Sequence, residues 1–574
     1  MDQNKAIRSH LSPCRGLEAR RRWYRAAAAR PTVLVVAASV AAALLMAGVL
    51  FGVRLTPSGG NSTWVSAGVR DVLKAVSNQN GQGTAGPLAT VPDPGDRLLG
   101  GLLAPEFDES SCLSRYRAAL YRRPSVHAIS SHLVSALRRY ESLHRRCGPG
   151  TPAYARAVER LRAAAAPNAS AAAAPSSSSS AAGCSYLVWN PIEGLGNHIL
   201  TITSGFLYAL LTDRVLLLHS SGGALDDLFC EPFPGSTWIL EEDESFPILG
   251  MGHLTAGHHA SLRSVLRRGE DPGGAPWLYV HLRHDYRKVH QDQQFFCDDV
   301  QAQLRRVPWL VFQSDNYFVP GLFLVPGLER ELQRMFPRRD VVFHHLGRYL
   351  FHPSNTVWGM ATRYHDEYYA KADERVGIQV RRFRWAPISA DELYGQILNC
   401  SQREGILPVP AAAATAAGGS NDGGQPAKQK AVLVVSLHGE YSEKLRELYQ
   451  KNGSAVSVHQ PTQLGAQRSG EQQHNQKALA EMVLLSFSDA VVTTAVSTFG
   501  YVGQGLAGLR PWVLLTPVDG KAPDTPCRHA ATMEPCFHAP PNYDCRARAN
   551  GDVGRIVRHI RHCEDFPQGV QLVE

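Results

Sequence analysis

An arginine at the end of an apolar run is the first chemical signal in this chain. Val376 to Val380 (VGIQV) reads as a buried strand, and Arg381 follows it directly, with Arg382 and Arg384 close behind. Strand ends on this side of a parallel sheet face the ligand crevice, and a guanidinium fork matches two phosphate oxygens. A solvated basic face is the plain alternative. The second signal is Ser488 to Trp512 (SDAVVTTAVSTFGYVGQGLAGLRPW), an apolar strand, a turn at Ser497 and Thr498, and a glycine-punctuated helix opening with Phe499, Gly500 and Tyr501. In a Rossmann-like sheet that junction offers backbone N–H groups and hydroxyls to a diphosphate. The third is Glu193-Gly194-Leu195-Gly196-Asn197 between a strand and a helix. Its glycines admit a ligand close to the backbone, and Asn197 either caps the helix or reaches a substrate hydroxyl. A βα turn without a ligand shows the same pattern.

Proton carriers concentrate between His281 and Asp299 (HLRHDYRKVHQDQQFFCDD), where Arg283, His284, Asp285, His290 and Asp292 follow a strand end. A general base is expected here. Asp285 and Asp292 are both open for that role, and a polar surface loop accounts for the segment almost as well. No Asp-x-Asp occurs, and His258-His259 and His344-His345 lack helical ligand spacing, so no metal site is expected. Arginine and backbone donors should therefore carry a diphosphate. The chain also lacks a G-x-S-x-G elbow, a P-loop and an H-E-x-x-H motif, which excludes those hydrolase classes.

Alternating strands and helices position these groups. Ser185 to Trp189, His198 to Leu211 and Val215 to Leu218 form a strand–helix–strand unit, with further strands at Trp277 to Leu282 and Trp309 to Gln313. After Val376 to Val380 come strands at Ala431 to Leu437, Ala455 to His459 and Ala490 to Thr494, with helices Asp391 to Asn399, Ser442 to Tyr449 and Gln476 to Ser486 between them. This order predicts an α/β fold with two parallel sheets, joined near Phe343 to Thr356 and facing a cleft. Upstream, Pro124 to Arg162 is helical, with Leu133, Leu137, Tyr140 and Leu143 on one face.

Charge placement bounds the partners. Lys5, Arg8, Arg15, Arg20, Arg21, Arg22, Arg25 and Arg30 against Asp2 and Glu18 give residues 1–31 a net +6 out of the whole chain's +8. No large basic surface is left for nucleic acid. Thr32 to Val53 follows without a charge. At about 1.5 Å per residue it spans a hydrocarbon core of about 30 Å, and it exceeds the length usual for a cleaved signal peptide. Positive charge stays cytosolic, which predicts a single-pass type II anchor with the rest of the chain in a lumen. Sequons at Asn61, Asn168, Asn399 and Asn452 agree, as does an even set of ten cysteines beyond the anchor, whose pairing the sequence leaves open.

The resulting division is 1–31 cytosolic tail, 32–53 anchor, 54–95 Gly/Ser/Pro-rich stem, 96–163 helical part, 164–182 Ala/Ser low-complexity loop, 183–345 first Rossmann-like domain and 346–574 second, interrupted by a low-complexity loop at 411–430.

Several blocks in one order resemble the plant fucosyltransferases typified by the xyloglucan α-1,2-fucosyltransferase (glycosyltransferase family 37): Leu98 to Tyr116, Glu193 to Leu200, Cys230 to Trp238, Asn316 to Pro320, Phe343 to Asn355, Val376 to Phe383, Ser497 to Trp512 and Met533 to Cys545. The resemblance implies a GT-B-like fold, with the first domain on the acceptor side and the second binding GDP-fucose. It implies a Golgi type II enzyme that transfers L-fucose from GDP-fucose to a cell-wall or proteoglycan glycan with inversion and no metal cofactor. A homodimer or a Golgi enzyme complex stays open. Carried over by position, Arg381 holds the diphosphate, Ser497, Thr498, Phe499, Gly500 and Tyr501 lie at the nucleotide with Gly194, Gly196 and Asn197, and His284, Asp285 and Tyr286 lie near the acceptor. The family reads Gly-Leu-Gly-Asn-Arg where this chain has His198. A weaker, titratable side chain there motivates a second reading, a glycan-binding or scaffold subunit that kept the fold.

Overall fold

Continuous apolar runs make strands that need cover on both faces, and the chain supplies it with helices. The computed structural model describes residues 96–574 apart from 166–182, 221–224, 242–245, 411–427, 553–556 and positions 249, 469 and 548. The expected anchor, the stem and the sequons at Asn61 and Asn168 lie outside the described residues. Among those described, no helix is long and apolar enough to cross a membrane.

The first sheet contains β1 (Ser185–Trp189), β2 (Arg214–Ser220), β3 (Ile239–Glu241), β4 (Trp277–Leu282) and β5 (Trp309–Ser314) in the order β3-β2-β1-β5-β4, all parallel. The second contains β6 (Glu374–Val380), β7 (Lys430–Ser436), β8 (Val456–His459), β9 (Ala490–Thr494), β10 (Trp512–Leu514) and β11 (Cys527–His529) in the order β11-β10-β9-β6-β7-β8, with only β11 antiparallel. Each sheet reverses its strand order about its first strand, so the carboxyl ends of β1 and β6 sit at topological switch points, where α/β sheets open a crevice.

The helices that matter to the crevice are α1 (Ser131–Cys147), α2 (Leu195–Leu211), α3 (Val342–Leu350), α4 (Asn355–Tyr364), α5 (Gln472–Leu485) and α6 (Thr498–Ala507). α1 starts where Ser130 accepts a hydrogen bond from the Leu133 N–H. It buries Leu133, Leu137 and Tyr140, whose hydroxyl accepts from the Leu216 N–H of β2 at 2.8 Å, while Leu143 is half-buried. α6 is buried along its length and packs against α2, α3 and α5. Glycine is needed for that approach: a Cβ on Gly503 would lie 2.8 Å from Leu485, and one on Gly505 2.3 Å from the Phe343 ring. The helix propensity lost at these positions is exchanged for close helix packing.

Several boundaries differ from the sequence reading by a few residues, and at the start of α2 the physical reason is local. α2 begins at Leu195, three residues before the expected His198, because Gly194 is extended (φ −93°, ψ 170°) and caps a helix that already includes Gly196 and Asn197. Poor helix formers concealed its first turn.

All ten cysteines beyond residue 100 are paired, as Cys112–Cys230, Cys147–Cys184, Cys297–Cys545, Cys400–Cys527 and Cys536–Cys563. The stretch from Met533 onward returns to the first sheet: Tyr286 donates to the Ala539 carbonyl, Tyr317 donates to Glu534, and Cys545 is tied to Cys297.

Glu534 accepts from the Tyr317 hydroxyl at 2.6 Å and from the Phe343 N–H at 2.7 Å, and burial pushes its carboxyl up to about 8. A carboxyl raised on folding stabilises fully below its unfolded pKa, and that stability is lost as pH rises through the folded value. We predict that Glu534→Gln flattens part of the fall in unfolding free energy between about pH 5 and about pH 8.5, measured by urea denaturation at a series of pH values.

Candidate functional site

A cavity of about 360 Å³ opens between the carboxyl ends of the two sheets. Its walls are the β1–α2 turn (Glu193 to Asn197), the residues after β6 (Arg381 and Phe383), the end of β7 (Val435 to Leu437), one face of α5, and Val496 to Phe499 at the start of α6. Gly194, Gly196, Asn197, Arg381, Ser497, Thr498 and Phe499 thus line one cavity.

Arg381 sits half-buried at the floor. Its backbone N–H donates to Thr494 Oγ1 at 3.0 Å, and its guanidinium donates to the neutral Gln467 amide oxygen at 2.8 Å. Among the described residues it forms no ion pair, whereas exposed Arg382 lies 3.5 Å from Glu440. Burial lowers the Arg381 pKa, yet the group stays cationic. This is a charged fork whose protein partner is a weak one.

Beside it, α6 begins with Ser497 as its cap, accepting from the Gly500 N–H at 3.5 Å. The preceding Val496 has φ 62°, a left-handed backbone unusual for a β-branched residue. Its N–H donates to Asp565 at 3.0 Å. The first N–H groups of the helix are therefore aimed at the cavity by a strained, externally held turn.

The β1–α2 turn meets this helix end directly. Thr498 Oγ1 donates to Asn197 Oδ1 at 3.0 Å, and the Asn197 amide donates to the Asp315 carbonyl at 3.1 Å. A Cβ on Gly196 would stand 2.6 Å from Thr498 Oγ1 and 3.1 Å from the Phe499 nitrogen. Gly196 is thus required by contact between the two halves of the site rather than by ligand approach.

Two of the residues expected at the nucleotide sit behind the cavity wall. Gly500 and Tyr501 do not line the cavity. A Cβ at Gly500 would fall 1.9 Å from Thr493 Oγ1, and Tyr501 is buried with its hydroxyl donating to Asp565 and contacting His538 Nε2 at 3.0 Å. Their role is to seat the helix.

Within the His281 to Asp299 segment the structure separates the two candidate bases by burial. The Asp292 side chain is 1% exposed and ion-paired with Arg263, whose Nε donates at 2.8 Å. Burial raises its pKa despite that partner. Asp285 is 47% exposed and accepts from His281 Nε2 at 2.8 Å. Burial works to raise its carboxyl, but the hydrogen bond and charge of His281, together with His284, outweigh it and hold it below the usual range. Asp285 is therefore an accessible, ionised carboxylate and Asp292 is a structural one. Exposed His284 is clamped by Asp315 through its Nδ1 at 2.7 Å and its backbone N–H at 2.9 Å. Tyr286 is buried against the Ala539 carbonyl, which removes it from an acceptor surface. None of these four lines the cavity, but Arg283 reaches Glu193 on its rim at 4.0 Å.

His198 lies outside the cavity wall as well. It packs edge-on against Trp189 and hydrogen-bonds the Glu193 and Ile192 carbonyls, and burial lowers it to about 4. The imidazole is neutral and closes the β1–α2 turn. Glu481, Thr462 and Gln467 line the cavity without having been singled out in the sequence, because they lie in a helix and a loop that carry no motif, and His538 joins them from within the Met533 to Cys545 block, where no role was assigned to it. Among the described residues, the group of Cys536, Cys563 and Asp565 has metal-ligand proximity, but both sulfurs are bound in a disulfide. Asn399 is exposed on the helix Ala390–Arg403, and Asn452 is half-buried at the end of the helix Glu440–Lys451.

Two largely parallel sheets with a cationic crevice at a helix N-terminus have the layout of an α/β anion-binding site. The xyloglucan fucosyltransferase family model matches residues 70–546, and the chain belongs to that family. It is 47% identical over 486 residues to a galactoside 2-alpha-L-fucosyltransferase of Arabidopsis thaliana, covering 83% of each chain. It is 45% identical to a galactoside 2-alpha-L-fucosyltransferase of Pisum sativum, covering 83% of this chain and 82% of the other. A solved structure of an Arabidopsis thaliana FUT1 variant in complex with GDP superposes with a TM-score of 0.73 at 46% identity, over 83% of this chain and all of that one.

The contrast between the two aspartates is measurable. Asp292→Asn leaves the Arg263 charge buried without its counter-ion and should cost about 3–5 kcal/mol of stability. Turnover per folded molecule should be unchanged. Thermal melting paired with active-site-normalised kinetics checks both halves of this expectation.

Proposed function

We propose that the protein transfers L-fucose from GDP-fucose to a hydroxyl of a cell-wall or proteoglycan glycan, with inversion at the anomeric carbon. The observation that carries this reading is the acid-free guanidinium of Arg381 beside the N-terminus of α6, in a chain of this family. The names of the relatives and the GDP in the FUT1 structure support the donor and the fucosyl group.

In this reading the two halves are GT-B-like, the first serving the acceptor and the second the donor. The acceptor oxygen attacks the fucose C1 from the face opposite GDP. The C1–O bond breaks with its electron pair going to the β-phosphate, and the sugar passes through an oxocarbenium-like state. Arg381 and the first N–H groups of α6 meet the charge developing on the departing diphosphate, where preorganised donors contribute most. These donors replace a divalent ion, so no metal cofactor is required. Asp285, accessible and ionised, takes the acceptor proton directly or through water.

The placement of His198 against backbone carbonyls, off the cavity wall, supports an enzyme over the glycan-binding or scaffold reading. We further propose a Golgi setting, with residues 32–53 as a type II anchor. Protease treatment of sealed microsomes should then remove only the short N-terminal tail, and digestion of the catalytic region would overturn the orientation.

For the reaction, Arg381→Ala should lower kcat about 100- to 1000-fold, while Arg382→Ala, at an exposed ion pair, stays close to wild type. Both are read by GDP release with GDP-fucose and a panel of xyloglucan and arabinogalactan oligosaccharides. Activity that survives EDTA supports the metal-free mechanism. Full turnover of the Arg381 variant, or a strict need for manganese or magnesium, would overturn it.

A further inference from the structure

An aromatic strip leads out of the cavity past Arg381. Phe383 is half-buried in the cavity wall, and its ring lies 5.4 Å from that of Trp385, tilted by 31°. Trp385 does not line the cavity and is 57% exposed. The indole borders a shallow cleft of about 20 Å³ that shares Arg381 and Phe383 with the cavity. This cleft runs toward Leu514 and Leu515 at the end of β10, a strand that contributes nothing to the larger cavity. A cleft so small holds no sugar ring, so the surface on offer is the open face of the indole itself.

The backbone forces that exposure. Phe383 pairs with Ala386 across a tight turn, closed by the Ala386 N–H donating to the Phe383 carbonyl at 3.3 Å, so Arg384 and Trp385 take its two central positions. Both are exposed while Ala386 is buried. Pro387 follows, and Ser389 caps the helix Ala390–Arg403, which together fix the exit of the turn. A second turn stands beside the first. Val518 and Lys521 exchange two backbone hydrogen bonds at 2.9 Å, the Ala522 N–H donates to Glu392 of the same helix at 3.0 Å, and a Cβ on Gly520 would lie 3.8 Å from the Pro387 carbonyl oxygen. Val518 is 64% exposed, with exposed Arg384, Asp519 and Lys521 on the same two turns. Of the five large apolar side chains that the described residues leave more than half exposed, two therefore stand on neighbouring turns beside the site. Single exposed apolar side chains are ordinary, whereas a rigidly held pair at the edge of a cavity marks a surface that binds.

We propose that Trp385 is a stacking platform for a pyranose ring of the acceptor glycan, beyond the sugar that receives fucose. The inference rests on the fucosyl-transfer reading above and adds a residue that selects the acceptor. A pyranose ring is apolar on its C–H face and polar at its rim, and an indole flanked by charged donors and acceptors complements both. Because Trp385 stands outside the cavity that holds Arg381, the ring it meets is not the reacting one. A lipid surface fits less well, since one indole and one valine set among charges are a small apolar area for membrane binding.

The test compares full-length wild type with Trp385→Ala, Trp385→Phe and Leu120→Ala, using GDP-fucose and each xyloglucan or arabinogalactan oligosaccharide that serves as acceptor, alongside the terminal disaccharide of the same glycan. Trp385→Ala should raise KM for the oligosaccharide about 3- to 10-fold, with kcat and the KM for GDP-fucose retained. Trp385→Phe should restore most of the loss, and the disaccharide should not distinguish the variants. Leu120→Ala removes another exposed apolar side chain and should match wild type. Affinity electrophoresis supplies a readout independent of turnover: xyloglucan or arabinogalactan in the gel should retard wild type more than Trp385→Ala. An unchanged oligosaccharide KM with unchanged retardation would overturn the proposal, as would an equal loss on the disaccharide. A change confined to the sedimentation coefficient would also overturn it, by making the turn a contact between copies of the chain. Retardation that depends on Trp385 in a protein that transfers no fucose would instead overturn the reaction assigned above and leave the platform standing.

Discussion

The site depends on one contact between its two halves: the backbone of Gly196 seated against Thr498 and Phe499, with Thr498 hydrogen-bonded to Asn197. Each sheet has its switch point at the carboxyl end of its first strand, but a switch point by itself only opens a crevice. Here the two crevices are brought face to face because α2 carries no side chain where α6 arrives. The same Asn197 reaches on to the Asp315 carbonyl, and Asp315 clamps His284. A single chain of short polar contacts thus runs from the N-terminus of α6 to the edge of the segment that carries Asp285.

Electrostatics divide the cavity along its length. At one end Arg381 forms no ion pair among the described residues, its guanidinium donating to the Gln467 amide oxygen, while Glu193 on the rim lies 4.0 Å from Arg283. At the other end burial pushes the Glu481 carboxyl up to about 8 against hydrogen bonds from the Thr462 hydroxyl and backbone. A cation at one pole and a latent acceptor at the other give the cavity a direction, which a symmetric basic groove would lack. Low local dielectric strengthens both poles.

Much of this was legible in the sequence where local pattern and tertiary role coincide. β1, β4 and β9 fall on the expected residues because each is a short apolar run bounded by breakers, and Arg381 stands at its strand end for the same reason. The three-residue strands β3, β10 and β11 carry no such pattern; they exist because neighbouring strands offer them partners. At the site, the motif Ser497 to Tyr501 read as one functional block, but helical geometry splits it: Ser497 to Phe499 face the cavity while Gly500 and Tyr501 point into the core. A period of 3.6 residues assigns opposite duties to adjacent motif positions. Asp285 and Asp292 are likewise equivalent in composition and separated only by burial, which depends on where Arg263, distant in sequence, comes to lie. Glu481 gives no local signal at all, since a glutamate in a helix is ordinary until its surroundings are known.

The buried Tyr501 also explains how a strained turn persists. Val496 in a left-handed conformation costs on the order of 1–3 kcal/mol and survives only where surrounding structure over-determines it. The surroundings here are the Asp565 carboxylate, which accepts from the Val496 N–H and from the Tyr501 hydroxyl at once. Asp565 in turn stands two residues from Cys563, which is tied to Cys536. The C-terminal stretch therefore acts as an external brace: it holds the turn that aims α6, and it also reaches the first sheet through Tyr286, Tyr317 and Cys297. Because one segment is bonded to both sheets, the angle of the helix end and the position of the acceptor-side loop are set together. The first N–H groups of α6 are thereby held in place by the fold itself, and preorganised dipoles cost no reorganisation when charge develops beside them.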